Sequence, residues 1–419
     1  MLTPAALQRL TRDGWLLFGT RFIRLFAYGS LSVVLVFYLI GIGLSEQQTG
    51  MLLTLTLAGD TVVSLFLTTR ADRIGRRRML IVGAVLMVAA GLVFAATRNL
   101  WLLVIAGTIG VISPSGNEVG PFLSIEQAAL SHVVGDRIRT EVFGWYTLAG
   151  SLATALGALA GGAVSRALQQ TAMPPVNSYR MVLILYAALG VVLAVLFSQL
   201  SRTAEATTLG EKRAFRATFA GLSGLDRSRD VVVKLSALFA LDSFGGGFVV
   251  QSFAAYWFYL RFGVDPGTLG VIFFWANIFA GISALVASRL ASRFGLIETM
   301  VATHLPSNVL LILVPLMPTL PLAVLVLLLR FSISQMDVPT RQSYMMAVVN
   351  PEERSAAAGI AGVARTIGAA ISPLFVGFMF ARPALINLPF AIAGTLKIAY
   401  DLLLYRAFVA VRPPEEILR

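Results

Sequence analysis

The sequence predicts an all-α membrane protein in which twelve transmembrane helices form two pseudo-symmetric six-helix bundles. Three observations lead there: composition, the spacing of apolar runs, and a faint internal repeat. Of the 419 residues, 57% are apolar and only 13% are charged, against about 45–50% and about 25% in an ordinary soluble domain. One protein core cannot bury that much apolar surface, and a lipid bilayer is the natural second solvent. A soluble enzyme is excluded.

Twelve apolar runs are long enough to cross about 30 Å of hydrocarbon. They fall at roughly 15–40, 50–69, 79–96, 101–131, 141–165, 179–199, 231–260, 267–288, 298–316, 320–348, 356–381 and 385–409. The first carries charges, follows a polar stretch and lacks a small-residue cleavage site, so it reads as a retained span. An even number of spans puts both termini on one side. Loops on that side hold 22 of the 33 Lys and Arg residues, from Arg70–Arg78 to the stretch Arg202–Lys234. The opposite loops hold five: Arg98, Arg166, Arg180, Arg261 and Arg382. The positive-inside rule therefore places both termini in the cytoplasm, with a bacterial inner (plasma) membrane as the expected location. The net charge of +12 is a topology signal, and no nucleic-acid partner is expected.

The chain has no cysteine and two histidines, His132 and His304, both near cytoplasmic span ends and without ligand-type spacing. Disulfides and metal or haem centres are not expected. No phosphate-cradling G-x-x-x-x-G-K-[ST] run occurs, so no cofactor is expected and nucleotide hydrolysis here cannot drive work.

The longest polar stretch, 200–230, is a predicted cytoplasmic loop between a bundle over 1–199 and a bundle over 231–419. The two halves match collinearly. Leu44–Gly50 faces Val264–Gly270, Ala71–Gly75 faces Ala291–Gly295, and Val133–Asp136 with Arg139 faces Val348–Pro351 with Arg354. This order argues for a duplicated six-helix unit, the build of many secondary transporters.

The loop after span two, Thr68-Thr69-Arg70-Ala71-Asp72-Arg73-Ile74-Gly75-Arg76-Arg77, resembles the signature G-x-x-x-D-R-x-G-R-[RK] of the major facilitator superfamily. Thr68 stands at the leading glycine, while Asp72, Arg73, Gly75, Arg76 and Arg77 match. On physical grounds alone, Gly75 permits a tight turn and Asp72 can accept from exposed N–H groups at a helix N-terminus. The resemblance implies a gating role for these five residues, with a plain topology anchor as the alternative. In span five, Gly157-Ala158-Leu159-Ala160-Gly161-Gly162 is similar to the G-P-x-x-G-G run of the drug/metabolite:proton antiporter branch, with Ala158 replacing the proline. Ordinary small-residue helix packing is the alternative. The resemblance further implies that spans one, four, seven and ten line a cavity and that the protein works as a monomer.

Ionisable groups at bilayer depth are costly and mark function. Span one carries Arg21 and Arg24, span four Glu118 and Glu126, span seven Asp242, and span ten Arg330, Asp337 and Arg341. Elsewhere lie Asp60 on span two, Arg365 on span eleven, and Lys397 with Asp401 on span twelve. Counting depth along a helix brings Arg21 level with Glu126, as a candidate ion pair and gate. It also brings Asp242, Asp337 and Arg341 into a compact cluster, the last two sharing a helix face. Glu118 sits near mid-membrane between Pro114, Gly116, Gly120 and Pro121, on a stretch expected to be irregular. No base matches its depth well, so Glu118 and Asp337 are candidate proton carriers.

Asp60 and Arg365 are level with each other and read as a lock between spans two and eleven. The alternative makes Asp60 a proton or substrate ligand. Arg24, Glu118, Asp242, Asp337, Arg341 and Tyr256 are the substrate-binding candidates, although the aromatic run around Tyr256 also suits packing. Lys397 with Asp401 reads as a structural pair, and Gly245-Gly246-Gly247 as either a bend or a close-packing site.

The expected function is secondary active transport of a small organic solute by alternating access, as proton-coupled efflux. Proton-coupled import of a polar or charged metabolite is the alternative, and a non-transporting receptor stands further off. Solute, protons and lipid are the expected partners. No nucleophile–base pair or metal cluster supports a membrane enzyme.

Overall fold

The computed structural model describes residues 7–8, 10–116, 122–134, 139–201, 204, 225 and 227–411. Every long regular element among them is an α-helix. The first half comprises α1 (Arg12–Gly41), α2 (Glu46–Ile74), α3 (Arg76–Ala96), α4 (Leu100–Ile109), α5 (Phe122–Val133), α6 (Arg139–Gln170) and α7 (Pro175–Ser198). The second comprises α8 (Arg229–Gly247), α9 (Gln251–Phe262), α10 (Pro266–Phe294), α11 (Leu296–Leu313), α12 (Leu320–Phe331), α13 (Asp337–Val348), α14 (Arg354–Phe380) and α15 (Leu388–Phe408). Ten helical stretches, with α8 and α9 taken together, are long and apolar enough to cross a membrane. Spans four and ten are each built from two shorter helices instead, α4 with α5 and α12 with α13.

The repeat is visible in the backbone. Glu46 and Pro266, Arg76 and Leu296, and Leu100 and Leu320 open equivalent helices 220 residues apart. Glycines with positive φ turn the chain at the same places, Gly43 (104°) with Gly263 (66°) and Gly75 (119°) with Gly295 (99°). A Cβ would strain such turns, which explains the residue type. The helix caps are equivalent too, by different chemistry. Ser45 opens α2 with a capping box, its hydroxyl accepting from Gln48 N–H at 3.2 Å. Asp265 opens α10 by accepting from Gly267 N–H at 2.9 Å and Thr268 N–H at 3.3 Å. Partial burial pushes the Asp265 carboxyl up, but the Thr268 bonds and Arg166, 3.8 Å away, hold it below the usual carboxylate range.

Three spans are interrupted, each for a readable reason. In span four the helix stops at Ile109, and Gly116 takes φ 70°. In span ten, Pro339 lies in the first turn of α13 and has no N–H to bond back to residue 335, which favours a helix start here. Ser332 and Ser334, weak helix formers, occupy the gap. In span seven the Gly245-Gly246-Gly247 run serves both expected roles. The helix ends at Gly247, where a Cβ would also meet Ala369 O at 2.6 Å.

Two compact units emerge: Met1–Thr208 with Val250–Ile278, and Leu209–Val249 with Phe279–Arg419. In the first, α9 is tied down by Ser252 Oγ donating to Pro114 O at 2.6 Å and Gln251 Nε2 donating to Ser32 Oγ at 2.7 Å. Small residues set close helix contacts. A Cβ at Gly157 or Gly161 of α6 would stand 2.1 Å from Phe26 O or 2.3 Å from Ser30 O on α1, and one at Gly162 would stand 2.3 Å from Pro266 O. The second unit repeats the device, with a Cβ at Gly368 of α14 only 2.3 Å from Ala240 O of α8. In lipid such contacts replace the hydrophobic drive that water would supply.

A matched pair of substitutions tests this packing. Gly161→Ala should lower the thermal midpoint of the detergent-solubilised protein by several degrees. Gly19→Ala, at a site with nothing within 4 Å, should be neutral or stabilising by up to about 1 kcal/mol. Equal midpoints for the two variants would remove the close-packing account.

Candidate functional site

Two buried polar clusters occupy the interior, one in each unit. In the first, Glu126 of α5 receives a bidentate Arg24 from α1, with Nη1–Oε1 at 2.6 Å and Nη2–Oε2 at 2.9 Å. Both side chains are fully buried. Thr20 Oγ1 donates to Glu126 Oε1 at 3.0 Å, and the Tyr146 hydroxyl of α6 donates to Oε2. The Arg24 guanidinium also lies 4.8 Å from the centroid of Phe122. These donors satisfy both oxygens of the Glu126 carboxylate.

This corrects the expected Arg21–Glu126 pair. Arg21 lies over the Tyr146 ring, 4.2 Å from its centroid, and Arg24, one turn deeper, takes the carboxylate. Depth counting found the right face of α1 but missed by one turn, since residues three apart share a face.

The second cluster joins four helices. Asp242 of α8 accepts from Lys397 Nζ of α15 at 2.6 Å and from Arg341 Nη1 of α13 at 3.0 Å. Arg341 Nη1 also lies 3.4 Å from Asp337 Oδ2, so the expected Asp–Arg–Asp cluster forms. The guanidinium of Arg341 rests 5.3 Å from the Phe239 centroid. His304 of α11 extends the network, with Nδ1 2.8 Å from Asp401 Oδ1 and Nε2 3.8 Å from Asp242 Oδ1. Asn308 Nδ2, one turn on, donates to Asp401 Oδ2 at 2.9 Å.

Here too an expectation is corrected. Lys397 and Asp401 do not pair with each other; Lys397 serves Asp242, and Asp401 serves His304. Both therefore belong to the central network, and His304 is buried within it rather than near a cytoplasmic end. The i, i+4 spacing of His304 and Asn308 was the sequence signal available for it. A second residue that sequence reasoning missed is Glu353. Its carboxylate accepts from the N–H groups of Arg227 and Ser228, at 3.0 and 2.9 Å, just ahead of α8.

The remaining candidates fall as follows. Tyr256 is buried, donates to Glu46 Oε1 at 3.2 Å and packs edge-on against Phe37. Asp60 accepts from Ser64 Oγ at 3.4 Å. It lies in the first unit, and Arg365 lies in the second. Gly75 makes the expected turn between α2 and α3. Arg76 is buried and donates to Ala128 O at 3.2 Å, and Arg77 reaches toward Leu200 O at 3.4 Å. Glu118 and the side chains of Asp72, Arg73 and His132 lie outside the described residues. No group of three His, Cys, Asp or Glu side chains suited to a metal occurs among the described residues.

Comparison with known proteins adds three findings. The family model of the Major Facilitator Superfamily matches residues 17–373 and also 235–418. The uncharacterized membrane protein YJR124C of Saccharomyces cerevisiae is 32% identical over 426 residues, covering 96% of this chain and 95% of its own. Among solved structures, a mutant of the nucleoside transporter NupG aligns with a TM-score of 0.74 at 13% identity, over 95% of this chain and 100% of that one. A D-xylose–proton symporter aligns with a TM-score of 0.73 at 16% identity, over 94% and 97%. At such identities the two structures speak for the fold.

The Arg24–Glu126 pair permits a direct energetic test. Removing one partner leaves a buried charge uncompensated, at a cost of about 3–5 kcal/mol. Glu126→Gln should therefore lower the thermal midpoint sharply, and the double variant Arg24→Met with Glu126→Leu should recover most of the loss. A double variant no more stable than Glu126→Gln would contradict this account of the pair.

Proposed function

The chain belongs to the Major Facilitator Superfamily, and on that premise we propose a secondary active transporter of a small organic solute. It works by alternating access, coupled to protons and running as an exporter. The observation that carries this reading is the pair of helix breaks at corresponding places in the two halves, after Ile109 in span four and after Phe331 in span ten. Unwound backbone at membrane depth is tolerated only where it is buried in protein or lines water, and such paired interruptions mark the binding region in secondary transporters. The second break adjoins Asp337, the first residue of α13.

Asp337 and Glu118 are the proton carriers in this reading. Asp242 and Arg341 form the charged frame next to Asp337, and Arg24 with Glu126 is its counterpart in the first half. Asp72, Arg73, Gly75, Arg76 and Arg77 belong to the gate, at the turn where Gly75 adopts φ 119°. The glycine run of span five and its likeness to the antiporter motif favour export over import. Clustering of basic residues in alternate loops supports cytoplasmic termini in an inner (plasma) membrane.

Proteoliposomes with an entrapped pH dye test the coupling and its sense. Adding a transported solute outside should make the lumen more alkaline under antiport and more acidic under symport. Asp337→Asn should abolish that signal while solute-for-solute exchange continues, because exchange needs no net proton movement. Solute flux without any pH change in the wild type would remove proton coupling from the account.

A further inference from the structure

Buried charge in the second unit does not balance. Three buried carboxylates, Asp242, Asp337 and Asp401, meet three buried bases, His304, Arg341 and Lys397, and two half-buried arginines, Arg330 and Arg365, whose Nε atoms are buried. Geometry assigns three partnerships. Lys397 holds Asp242 at 2.6 Å, His304 holds Asp401 at 2.8 Å, and Arg341 lies 3.4 Å from Asp337 while also reaching Asp242. Arg330 of α12 and Arg365 of α14 are left over. Within the unit, neither has a hydrogen bond or ion pair among the described residues, and the Nε atom of each is buried without a partner. Arg330 has only the ring of Phe331, 5.0 Å from its guanidinium carbon.

Both guanidiniums lie in the field of the same two acids, Asp242 and Asp337, and Arg365 also feels the like charge of Arg341. Those acids are already bonded to other bases. An uncompensated cation at this depth is expensive unless it faces water or a ligand of opposite charge.

The span-ten break supplies further donors beside Arg330. The hydroxyl of Ser334 is buried and has no hydrogen-bond partner among the described residues. The N-terminus of the twelve-residue α13 follows it with no side-chain cap. Exposed N–H groups at a helix start favour an anion, and guanidinium forks match carboxylate and phosphate oxygens.

We propose that the second unit binds a small organic anion, a carboxylate or phosphate monoester, between Arg330 and Arg365 with Ser334 as a hydroxyl donor. Naming this anion as the cargo rests on the transport reading above; the binding itself does not. Asp337 stands at the same helix start, and Arg341 keeps its charge from repelling the ligand.

The test uses the full chain in lipid-free detergent, with unfolding followed through its five tryptophans. Probes are succinate and glycerol 3-phosphate, against xylose, tetramethylammonium and chloride at matched ionic strength, with phosphatidylglycerol as a separate arm. A ligand that binds only the folded state raises the midpoint. Succinate or glycerol 3-phosphate should raise it by several degrees. The rise should vanish in Arg330→Gln and in Arg365→Gln, and persist in part in Arg330→Lys, which keeps the charge but loses the fork.

Without ligand, both glutamine variants should be at least as stable as wild type, because each removes a half-buried charge that has no ion pair among the described residues. A marked loss of stability in them would make the two arginines structural and overturn the proposal. A rise with phosphatidylglycerol but with neither soluble anion would also overturn it. Counterflow in proteoliposomes separates the two readings. Flux of xylose or tetramethylammonium without any anion response would end the anion site and leave transport standing. Anion binding without flux of any solute would do the reverse.

Discussion

Hydrocarbon offers no hydrogen bonds, and nearly every other feature of this fold follows from that absence. A backbone group exposed to lipid costs several kcal/mol, so each span is helical wherever it meets lipid. The longest departures from helix within the described spans are at 110–116, 248–250 and 332–336. An arginine at the centre of a lone helix costs about 2.5–3.5 kcal/mol on insertion scales. The same rule therefore gathers the intramembrane charges into two clusters, each built around an aspartate or glutamate that receives several donors.

The clusters differ in kind. Glu126 is held by Arg24, Thr20 and Tyr146, all of which converge on its one carboxylate. That arrangement suits a rigid joint. The network around Asp242 is open: Arg341 is shared between Asp242 and Asp337, His304 between Asp242 and Asp401, and bases outnumber acids. A change of protonation or a bound anion can redistribute those bonds at little cost, since several arrangements satisfy the same groups. Close glycine contacts between α1 and α6, and between α8 and α14, give each unit a stiff spine on which such rearrangement can act.

Much of the fold was legible in the sequence because lipid imposes a simple code. Span count, the glycine turns at Gly75 and Gly295, and the meeting of Asp242, Asp337 and Arg341 all follow from apolar length, turn chemistry and depth. Depth counting is one-dimensional and no finer than a turn, however, and the departures from expectation come where a single turn or the facing of a neighbouring helix decides the partner. Arg21 and Arg24 differ by one turn and share a face, so the partner of Glu126 was misassigned. Lys397 and Asp401 look like an i, i+4 pair in sequence, yet each has a closer partner on another helix. His304 is hard to read because its i, i+4 spacing with Asn308 is a weak signal; its contact with Asp401 reveals its place. The span-ten break was signalled by Pro339 two residues into α13, and the strongly apolar run over 320–331 masked it.

Central to the account is that the broken spans face water from one side and then the other. Wild-type protein has no cysteine, so a single Ser334→Cys in the span-ten break gives an unambiguous reporter. A membrane-impermeant maleimide should label it in right-side-out vesicles and in inside-out vesicles alike. Labelling from one side only, or from neither, would contradict alternating access at this break.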